Sequence, residues 1–285
     1  MPQPLDIDHL RQWIGRTEQL HDQVTAAPLR ALTATLDRDD APQAPGAPIP
    51  PLWHWLYFLP AAPQSELGPD GHPQRGGFLP PVPLPRRMWA GSQLVFHRPL
   101  RVGQALVRSS RIADVRLKEG RTGPLVFVNV DHRIEADGEL AIEERHYIVY
   151  RDMPAPGEVP PPPVAATAEA AWVRRIAPDD VLLFRYSALT FNGHRIHYDR
   201  RYVTEVEGYP GLVVHGPFAQ QCIFDLLRDS TPGRKVKSIA VRARAPLFDT
   251  SPFDVIGRPT ADGKGAELWT VTPKGTIAAQ ATAML

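Results

Sequence analysis

The chain has 285 residues, of which 43% are hydrophobic and 22% charged, and its 32 Lys+Arg residues against 31 Asp+Glu residues give a formal net charge of +1. This composition is typical of a globular protein of about two domains. The charge balance excludes the basic excess of most nucleic-acid-binding proteins, so we expect no nucleic acid partner.

Cysteine usage and the first residues indicate the compartment. The single cysteine, Cys222, excludes an intrachain disulfide and a cysteine-rich zinc or iron–sulfur site, and it suits a reducing environment. Residues 1–10 carry acidic side chains rather than a basic run followed by an apolar stretch, so we expect no secretory signal. No apolar run approaches the roughly 18 residues that span a bilayer. These features predict a cytoplasmic protein with no membrane partner.

Periodicity and turn residues predict an antiparallel meander in the first half of the chain. Its strands are expected over residues 104–115, 125–134 and 140–150, joined by a turn at 118–123 and a hairpin at Asp137-Gly138. Upstream, the apolar residues 53–58 form either a short helix or a strand, and their length does not decide which.

Proline composition predicts a boundary between two domains. Residues 153–171 contain four consecutive prolines followed by an alanine-rich run, and such a segment favours an extended linker. We therefore expect an N-terminal domain over residues 1–152 and a C-terminal domain over residues 172–285.

The second half combines one helix with strands. A helix is predicted over residues 216–230, with Pro217 at its first position and Gly216 as its cap, because apolar residues recur there at three-to-four spacing. Alternation then predicts strands over residues 239–245, 253–257, 268–272 and 276–283. A helix followed by four antiparallel strands is an α+β layer, and the similar strands on both sides of the linker suggest two copies of one fold.

Reactive side chains cluster before this helix. Asn192 and His197 are five residues apart, a spacing that suits neither one helix stripe nor one strand face and therefore indicates a loop. An amide can orient a water molecule, and imidazole is the side chain best suited to proton transfer near neutrality. The backbone N–H groups of Gly216 and Phe218 are free donors at the helix start, where they could polarise a thioester carbonyl.

The segment from Phe184 to Pro217 resembles the signature of the MaoC-like hot-dog hydratases and dehydratases. The resemblance places His197 on the family's catalytic histidine and Gly216 on the glycine that donates to the thioester oxygen. Asn192 stands where the family has an aspartate, and His194 and Arg195 stand where it has Asn-Pro. This departure bears on whether a carboxylate takes part in proton transfer.

A closer resemblance is to a double hot-dog subgroup that includes hydratases of mesaconyl-C4-CoA and itaconyl-CoA and the type 2 hydroxyacyl-thioester dehydratases. It is carried by Phe191 to Asp199 and by the Arg-Arg-Met-Trp-Ala-Gly stretch from Arg86 to Gly91. It implies an α+β double hot-dog fold, with two antiparallel sheets each wrapped around a central helix. The first copy would be degenerate, since no Asn-to-His loop precedes the linker.

The resemblance implies a hydro-lyase that adds water reversibly to the double bond of a short branched dicarboxylyl-CoA, mesaconyl-C4-CoA or itaconyl-CoA, giving citramalyl-CoA. His197 would take a proton from the water, Asn192 would hold that water, and the Gly216 N–H would stabilise the oxyanion. Delivery of the α-proton by the same histidine is the simpler hypothesis, and Asp199 is near enough in sequence to orient the imidazole. No cofactor is expected, because coenzyme A is part of the substrate.

Further residues are candidates for substrate contact. His194 and Tyr198 are expected either to touch the substrate or to support the loop. Four arginines could bind coenzyme A phosphates or a free carboxylate, although charges on a strand face are usually solvated. The four candidates are Arg86, Arg87, Arg242 and Arg244. The aromatic residues within 53–58 favour core packing over an acyl pocket. No metal site is predicted, because no carboxylate or third histidine stands at a convincing spacing from His194 and His197.

Three alternatives stay open from the sequence. A dehydratase of fatty 3-hydroxyacyl-thioesters would use the same loop, and a hot-dog thioesterase would need an acidic residue on the central helix, for which Asp225 is the candidate. A non-catalytic acyl-CoA-binding subunit is the third. A homodimer is compatible with the sequence, and so is a monomer, since a double hot-dog chain already contains the pairing that single hot-dog subunits reach by dimerising.

Overall fold

A computed structural model describes residues 5–40, 44–121, 123–153 and 162–285. Its centre is a ten-stranded antiparallel sheet. The strands are β1 Thr17–Gln23, β2 Arg86–Phe96, β3 Ala105–Gly120, β4 Gly123–Ala136, β5 Glu139–Arg151, β6 Trp172–Ile176, β7 Ser238–Ala243, β8 Phe253–Pro259, β9 Gly265–Val271 and β10 Ile277–Met284. The helices are α1 Ile7–Arg11, α2 Ala26–Thr35, α3 Asp180–Leu189, α4 Arg200–Glu205 and α5 Gly216–Ser230, with 3-10 turns at Trp53–Leu56, Gln64–Glu66 and Arg195–His197.

Strand order shows two copies of one topology. The sheet runs β1-β3-β4-β5-β2-β7-β10-β9-β8-β6, so each half has the same order of five strands, read outward from the centre. The halves join where β2 pairs with β7, from Gly91 opposite Arg242 to Val95 opposite Ser238. The two sheets expected from the sequence therefore form one continuous sheet.

The long helix α5 occurs in the second half alone. By chain order α2 corresponds to α3, since each follows the first strand of its half. After α3 the chain builds α5 before β7, whereas the described part of the segment between α2 and β2 contains no α-helix. Its 3-10 turn at Trp53–Leu56 packs under the first half of the sheet and shares a core with α5. The degeneracy that the sequence predicts for the first copy rests on its missing Asn-to-His loop and stays a prediction.

The apolar segment 53–58 is mostly core. Trp53, Leu56 and Phe58 are buried among the residues of the main hydrophobic cluster, while Trp55 is half-buried and donates its indole N–H to Glu144 at 3.0 Å. A second, smaller core under β3, β4 and β5 is covered by Leu10 from α1 and by Val82 and Leu84. Packing, rather than an acyl pocket, is thus the principal role of this segment.

The helix over 216–230 is confirmed with the predicted bounds, but its cap differs. His215 is the N-cap, and Gly216 is already helical. The predicted strands are all present with shifted ends; the largest shift is in β3, which continues to Gly120 because it pairs with Gly123 across the predicted turn. Sequence reasoning missed β2, whose alternation is broken by a bulge between Trp89 and Gly91.

The domain boundary stays a prediction. Much of the expected linker, residues 154–161, lies outside the described residues. The last strand of the first half ends at Arg151, and the first strand of the second half begins at Trp172. No helix within the described ranges is long and apolar enough to cross a membrane.

Polar contacts join α5 to the first half of the chain. Ser92 on β2 donates to Gln220 on α5 at 2.8 Å, with both side chains buried. Arg38, just after α2, pairs with Asp229 at the end of α5 at 2.8 Å. The long helix is thus held by the first half of the chain as well as by its own sheet.

Gly91 is required at the junction of the halves. Its φ is +148°, and a Cβ there would lie 2.2 Å from the carbonyl oxygen of Val241 on β7. We expect Gly91→Ala to lower the free energy of unfolding by about 2–4 kcal/mol through backbone strain and a broken β2–β7 pairing. Urea unfolding measures this, with Gly77→Ala as control because a Cβ at Gly77 meets nothing within 4 Å. Equal losses in the two variants would contradict the prediction.

Candidate active site

The loop after α3 is shaped by its own polar side chains. Phe191 adopts a left-handed conformation with φ of +49°, and the next residue, Asn192, accepts the backbone N–H of His194 on its side-chain oxygen at 3.0 Å. This turn leads into the 3-10 helix that carries His197. The irregular loop predicted from the spacing of Asn192 and His197 is therefore present.

His197 is buried and oriented by the backbone. Its Nδ1 lies 2.7 Å from the carbonyl oxygen of Val213, so Nδ1 carries the hydrogen and Nε2 presents its lone pair. In the described part of the chain Nε2 has no protein partner. Burial lowers the pKa of His197 to about 4, which keeps the imidazole neutral at pH 7.

Asp199, which is near His197 in sequence, does not orient its imidazole. The Asp199 carboxylate pairs with Arg195 at 2.7 Å and caps α4 by accepting the Tyr202 N–H. Asp199 lies at the start of α4, where these two contacts occupy its carboxylate. The Val213 carbonyl orients the His197 imidazole instead.

Gly216 lies beside this imidazole at the start of α5. The His197 ring stacks on the ring of His215, the preceding residue, with centroids 3.7 Å apart, and His215 is fixed by a 2.8 Å hydrogen bond to Ser187. A Cβ on Gly216 would lie 2.3 Å from the indole of Trp89, so only glycine fits under that ring. Within the described residues no acceptor takes the Gly216 N–H, which remains a free donor near the positive end of the helix dipole.

A turn from the first half docks on the loop, and the sequence did not predict it. The backbone N–H of Arg195 donates to the Asp70 carbonyl at 2.9 Å. Gly71, at φ of +86°, lies so close to Gly193 that a Cβ on Gly71 would be 1.9 Å from the Gly193 oxygen. This contact carries His72 into the site, with its ring centroid 4.1 Å from that of His194. The sequence signal that could have found this turn is Asp70-Gly71-His72, two reactive side chains around a glycine within a proline-rich segment.

The docked turn creates a mixed cluster of imidazoles and one carboxylate. Asp70 Oδ2 lies 3.1 Å from His72 Nδ1, and one ligand atom each from Asp70, His72 and His194 lie within 4.8 Å of one another, which is a set that could hold a metal ion. The spacing argument against a metal site missed this set, because residues 72 and 194 meet only through the fold.

Burial governs the charge states of this cluster. Desolvation lowers the pKa of His72 to about 4 and also lowers the pKa of His194, helped by the neighbouring imidazoles. Burial alone would raise the pKa of Asp70, but the hydrogen bond and charge of His72 hold it below its usual value. At neutral pH the cluster therefore consists of neutral imidazoles beside one carboxylate.

One of the four candidate arginines lies at the site. Arg87 is opposite Tyr150 in the β2–β5 pairing and acts electrostatically on Tyr150, His72 and His194. Because Tyr150 is fully buried in the core, Arg87 faces the inside of the sheet. In the described part of the chain no carboxylate pairs with it.

The other three arginines are placed elsewhere, and their prediction as substrate contacts is not supported by their positions. Arg86 is buried against Glu207, at 3.0 Å, and its guanidinium lies 4.6 Å from the centroid of the Tyr209 ring. Arg242 is exposed on the outer face of β7, because its neighbour Val241 points into the core, and Arg244, just after the end of β7, is also exposed.

Of the two remaining candidates, His194 joins the cluster and Tyr198 supports the loop. The His194 ring lies between those of His72 and His197, with its centroid 5.4 Å from the His197 centroid. Tyr198 is exposed and donates its hydroxyl to the Gly193 carbonyl at 3.0 Å.

The fold and site define a double hot-dog protein with a histidine loop facing the start of its long helix. A MaoC-like dehydratase of known structure has a TM-score of 0.71, with 14% identity over 96% of this chain and 99% of that one. A Mycobacterium tuberculosis protein described as a double hot-dog fold has a TM-score of 0.58, with 15% identity over 95% and 96%. These similarities confirm the predicted fold class.

The sequence comparisons identify the family. The model for hydroxyacyl-thioester dehydratase type 2 matches residues 52–249. The mesaconyl-C4-CoA hydratase of Chloroflexus aurantiacus is 49% identical over 273 residues, covering 96% of both chains. The chain belongs to the hydroxyacyl-thioester dehydratase type 2 family, and the predicted enzyme class, a hydro-lyase, is confirmed.

The buried imidazoles make stability depend on pH. Since the pKa of His197 is about 4 in the fold and about 6.5 in an unfolded chain, only the unfolded chain binds a proton there between these values. The free energy of unfolding therefore falls as the pH drops through this window. We expect His197→Gln to reduce that fall by up to about 1.4 kcal/mol per pH unit. Urea unfolding at several pH values tests this, and curves of equal slope below about pH 6.5 would contradict it.

Proposed function

We propose that this enzyme adds water reversibly to the double bond of mesaconyl-C4-CoA to give citramalyl-CoA. The observation that carries the proposal is the 49% identity to a mesaconyl-C4-CoA hydratase along 96% of both chains. Itaconyl-CoA, also a branched five-carbon dicarboxylyl thioester, is the second substrate in this proposal.

In this reaction the thioester carbonyl lies against the Gly216 N–H at the start of α5. The carbonyl oxygen gains negative charge as the double bond is attacked, and a fixed donor beside the helix dipole stabilises it, an effect worth several kcal/mol in related sites. Trp89 packs on Gly216 and keeps the space for the thioester narrow.

His197 is the base in this proposal. Its Nε2 lone pair removes a proton from water while the water oxygen bonds to the β-carbon, and the Val213 carbonyl keeps the other ring nitrogen protonated. The same proton then returns to the α-carbon as the enolate collapses, so His197 ends neutral. Asn192 uses its oxygen within the loop, which leaves its NH₂ group to donate to the water.

Arg87 binds the free carboxylate in this proposal. In mesaconyl-C4-CoA the carboxylate is on the β-carbon, next to the point of water attack. Arg87 faces inward near His72 and His194 without a carboxylate partner among the described residues, and a guanidinium matches a carboxylate in a two-point hydrogen bond. A short acyl pocket also agrees with the buried residues Trp53, Leu56 and Phe58, which fill the first half.

The second candidate is the dehydration of fatty 3-hydroxyacyl-thioesters, which the family description favours. It uses the same loop and differs in the acyl pocket. The thioesterase alternative loses support, because Asp225 is nine residues along α5 from Gly216, about 13 Å, and is buried with Arg38 at 3.8 Å and Arg228 at 3.4 Å.

Further parts of the proposal concern the setting of the enzyme. Water addition to an unsaturated thioester exchanges no electrons with a cofactor, so we propose none beyond the coenzyme A of the substrate. We also propose a cytoplasmic location, supported by the single, buried Cys222. A homodimer is compatible with the proposal but not required by it, because both halves of the site come from one chain.

Turnover on separate thioesters tests the function. We expect the wild-type protein to add one water to mesaconyl-C4-CoA faster than to crotonyl-CoA, followed by mass spectrometry of the acyl-CoA. His197→Ala should lose about 10²–10⁴-fold in kcat, the usual contribution of a general base, while still binding the thioester.

The alternatives give different outcomes in this assay. Faster hydration of crotonyl-CoA would favour the fatty dehydratase, and release of free coenzyme A without hydration would mean a thioesterase. Retained turnover in His197→Ala would overturn the mechanism. Equal binding with no turnover in either protein would indicate an acyl-CoA-binding subunit.

Arg87→Gln tests the carboxylate site. We expect kcat/KM for mesaconyl-C4-CoA to fall by about 10–100-fold, because a charged hydrogen bond is lost, while crotonyl-CoA, which has no free carboxylate, changes little. Arg242→Gln is the matched control, since Arg242 is on the outer face of the sheet. An equal loss on both substrates would show that Arg87 has a structural role only.

A further inference from the structure

We propose that His72, oriented by Asp70, is a second catalytic residue that accepts a hydrogen bond from the nucleophilic water, while the side-chain oxygen of Asn192 is engaged by the His194 N–H. His72 would act on the reacting water, and Asp70 would be a positioning residue. The inference rests on the proposed hydration and identifies how the first half of the chain takes part in it.

The first observation is the geometry of the pair. The Asp70 carboxylate bonds twice to His72, with one oxygen accepting the backbone N–H at 3.0 Å and the other lying 3.1 Å from the ring Nδ1. Nδ1 therefore carries the hydrogen, and Nε2 presents a lone pair with no partner in the described part of the chain. His197 has the same arrangement, with a carbonyl in place of the carboxylate.

The second observation is the position of the pair. The His72 and His197 rings both contact His194, at centroid distances of 4.1 and 5.4 Å. His72 also acts electrostatically on His197, and in this proposal a thioester whose carbonyl is at Gly216 has its β-carbon between these two imidazoles. Water attacks at that carbon.

The third observation is that the loop itself supplies no carboxylate. Asn192 has an amide rather than a carboxylate, and Asp199 is committed to Arg195 and the α4 cap. Among the described residues, Asp70 is the carboxylate that acts on both His72 and His194. The docking of Gly71 on Gly193 fixes its position against the loop.

The proposed step transfers one proton, from the water through His197 to the α-carbon. One O–H of the water hydrogen-bonds to His72 Nε2 while His197 Nε2 removes the other proton. The oxygen bonds to the β-carbon, and the π electrons of the double bond move toward the thioester oxygen. The proton on His197 then bonds to the α-carbon, so both histidines end neutral and His72 gains no proton.

A rescue experiment tests this assignment. Hydration kinetics are measured for wild type, His72→Gln, Asn192→Asp and the double variant, each on the thioester that the wild-type protein hydrates fastest. We expect His72→Gln to lower kcat by about 10-fold, because a positioned hydrogen bond to the water is lost, with little change in KM. The double variant should recover most of this loss, because Asn192→Asp places a charged hydrogen-bond acceptor in the loop.

Asp70 has its own test. Asp70→Asn keeps the shape of the side chain but removes its charge, and we expect a loss in kcat rather than in KM, with partial recovery in Asp70→Glu. His97→Gln is the control, since His97 is an exposed histidine paired with Glu143 at 2.9 Å. Thermal unfolding establishes that each variant is folded.

Several outcomes would overturn the proposal. These are wild-type kcat in His72→Gln, no recovery in the double variant, and one tightly bound metal ion per wild-type chain that is lost in Asp70→Asn, since the cluster would then be a metal site. If the wild-type protein hydrates none of the thioesters, the proposed function fails and this inference fails with it. If the wild-type protein hydrates a thioester and the His72 and Asp70 variants are equally active, this inference fails and the proposed function stands.

Discussion

The pairing of β2 with β7 is the contact on which the rest of the structure depends. It converts two half-sheets into one, and it brings the inward-facing residues of β2 beside the second half. Trp89 thereby covers Gly216, and Ser92 reaches α5. The same junction brings the turn at Gly71 against the loop at Gly193, so the site is assembled from both halves of one chain.

Desolvation determines the chemistry of this assembly. The imidazoles of His194 and His197 are buried and that of His72 is half-buried, and desolvation lowers the pKa of each, which makes them neutral acceptors near pH 7. The charges that act on this cluster include the Asp70 carboxylate and the guanidinium groups of Arg87 and Arg75. A neutral base and a fixed cation suit a reaction in which water is deprotonated beside a substrate carboxylate, because a protonated imidazole could not accept the proton.

Local patterns predicted much of the fold and part of the site. The α5 helix has a strong apolar period and a glycine-proline start, so its bounds were predictable, and His197 lies in a short motif whose residues are neighbours in sequence. His72 and Asp70 were missed because they meet the loop only through tertiary contact. The exposed outer position of Arg242 could not be predicted, because sequence alone shows that a residue is on a strand but not which face of the sheet lies over the site.

The asymmetry of the two halves explains how the first half comes to supply site residues. Both halves connect their first helix to their next strand by segments of similar length, residues 36–85 and 190–237. In the second half that segment forms the catalytic loop and α5. In the first half the described part forms no α-helix, so the chain is free to extend to the other half and dock Gly71 on Gly193. The described part of the first half thus has no counterpart of α5, and its backbone at Gly71 instead contacts the loop that carries His197.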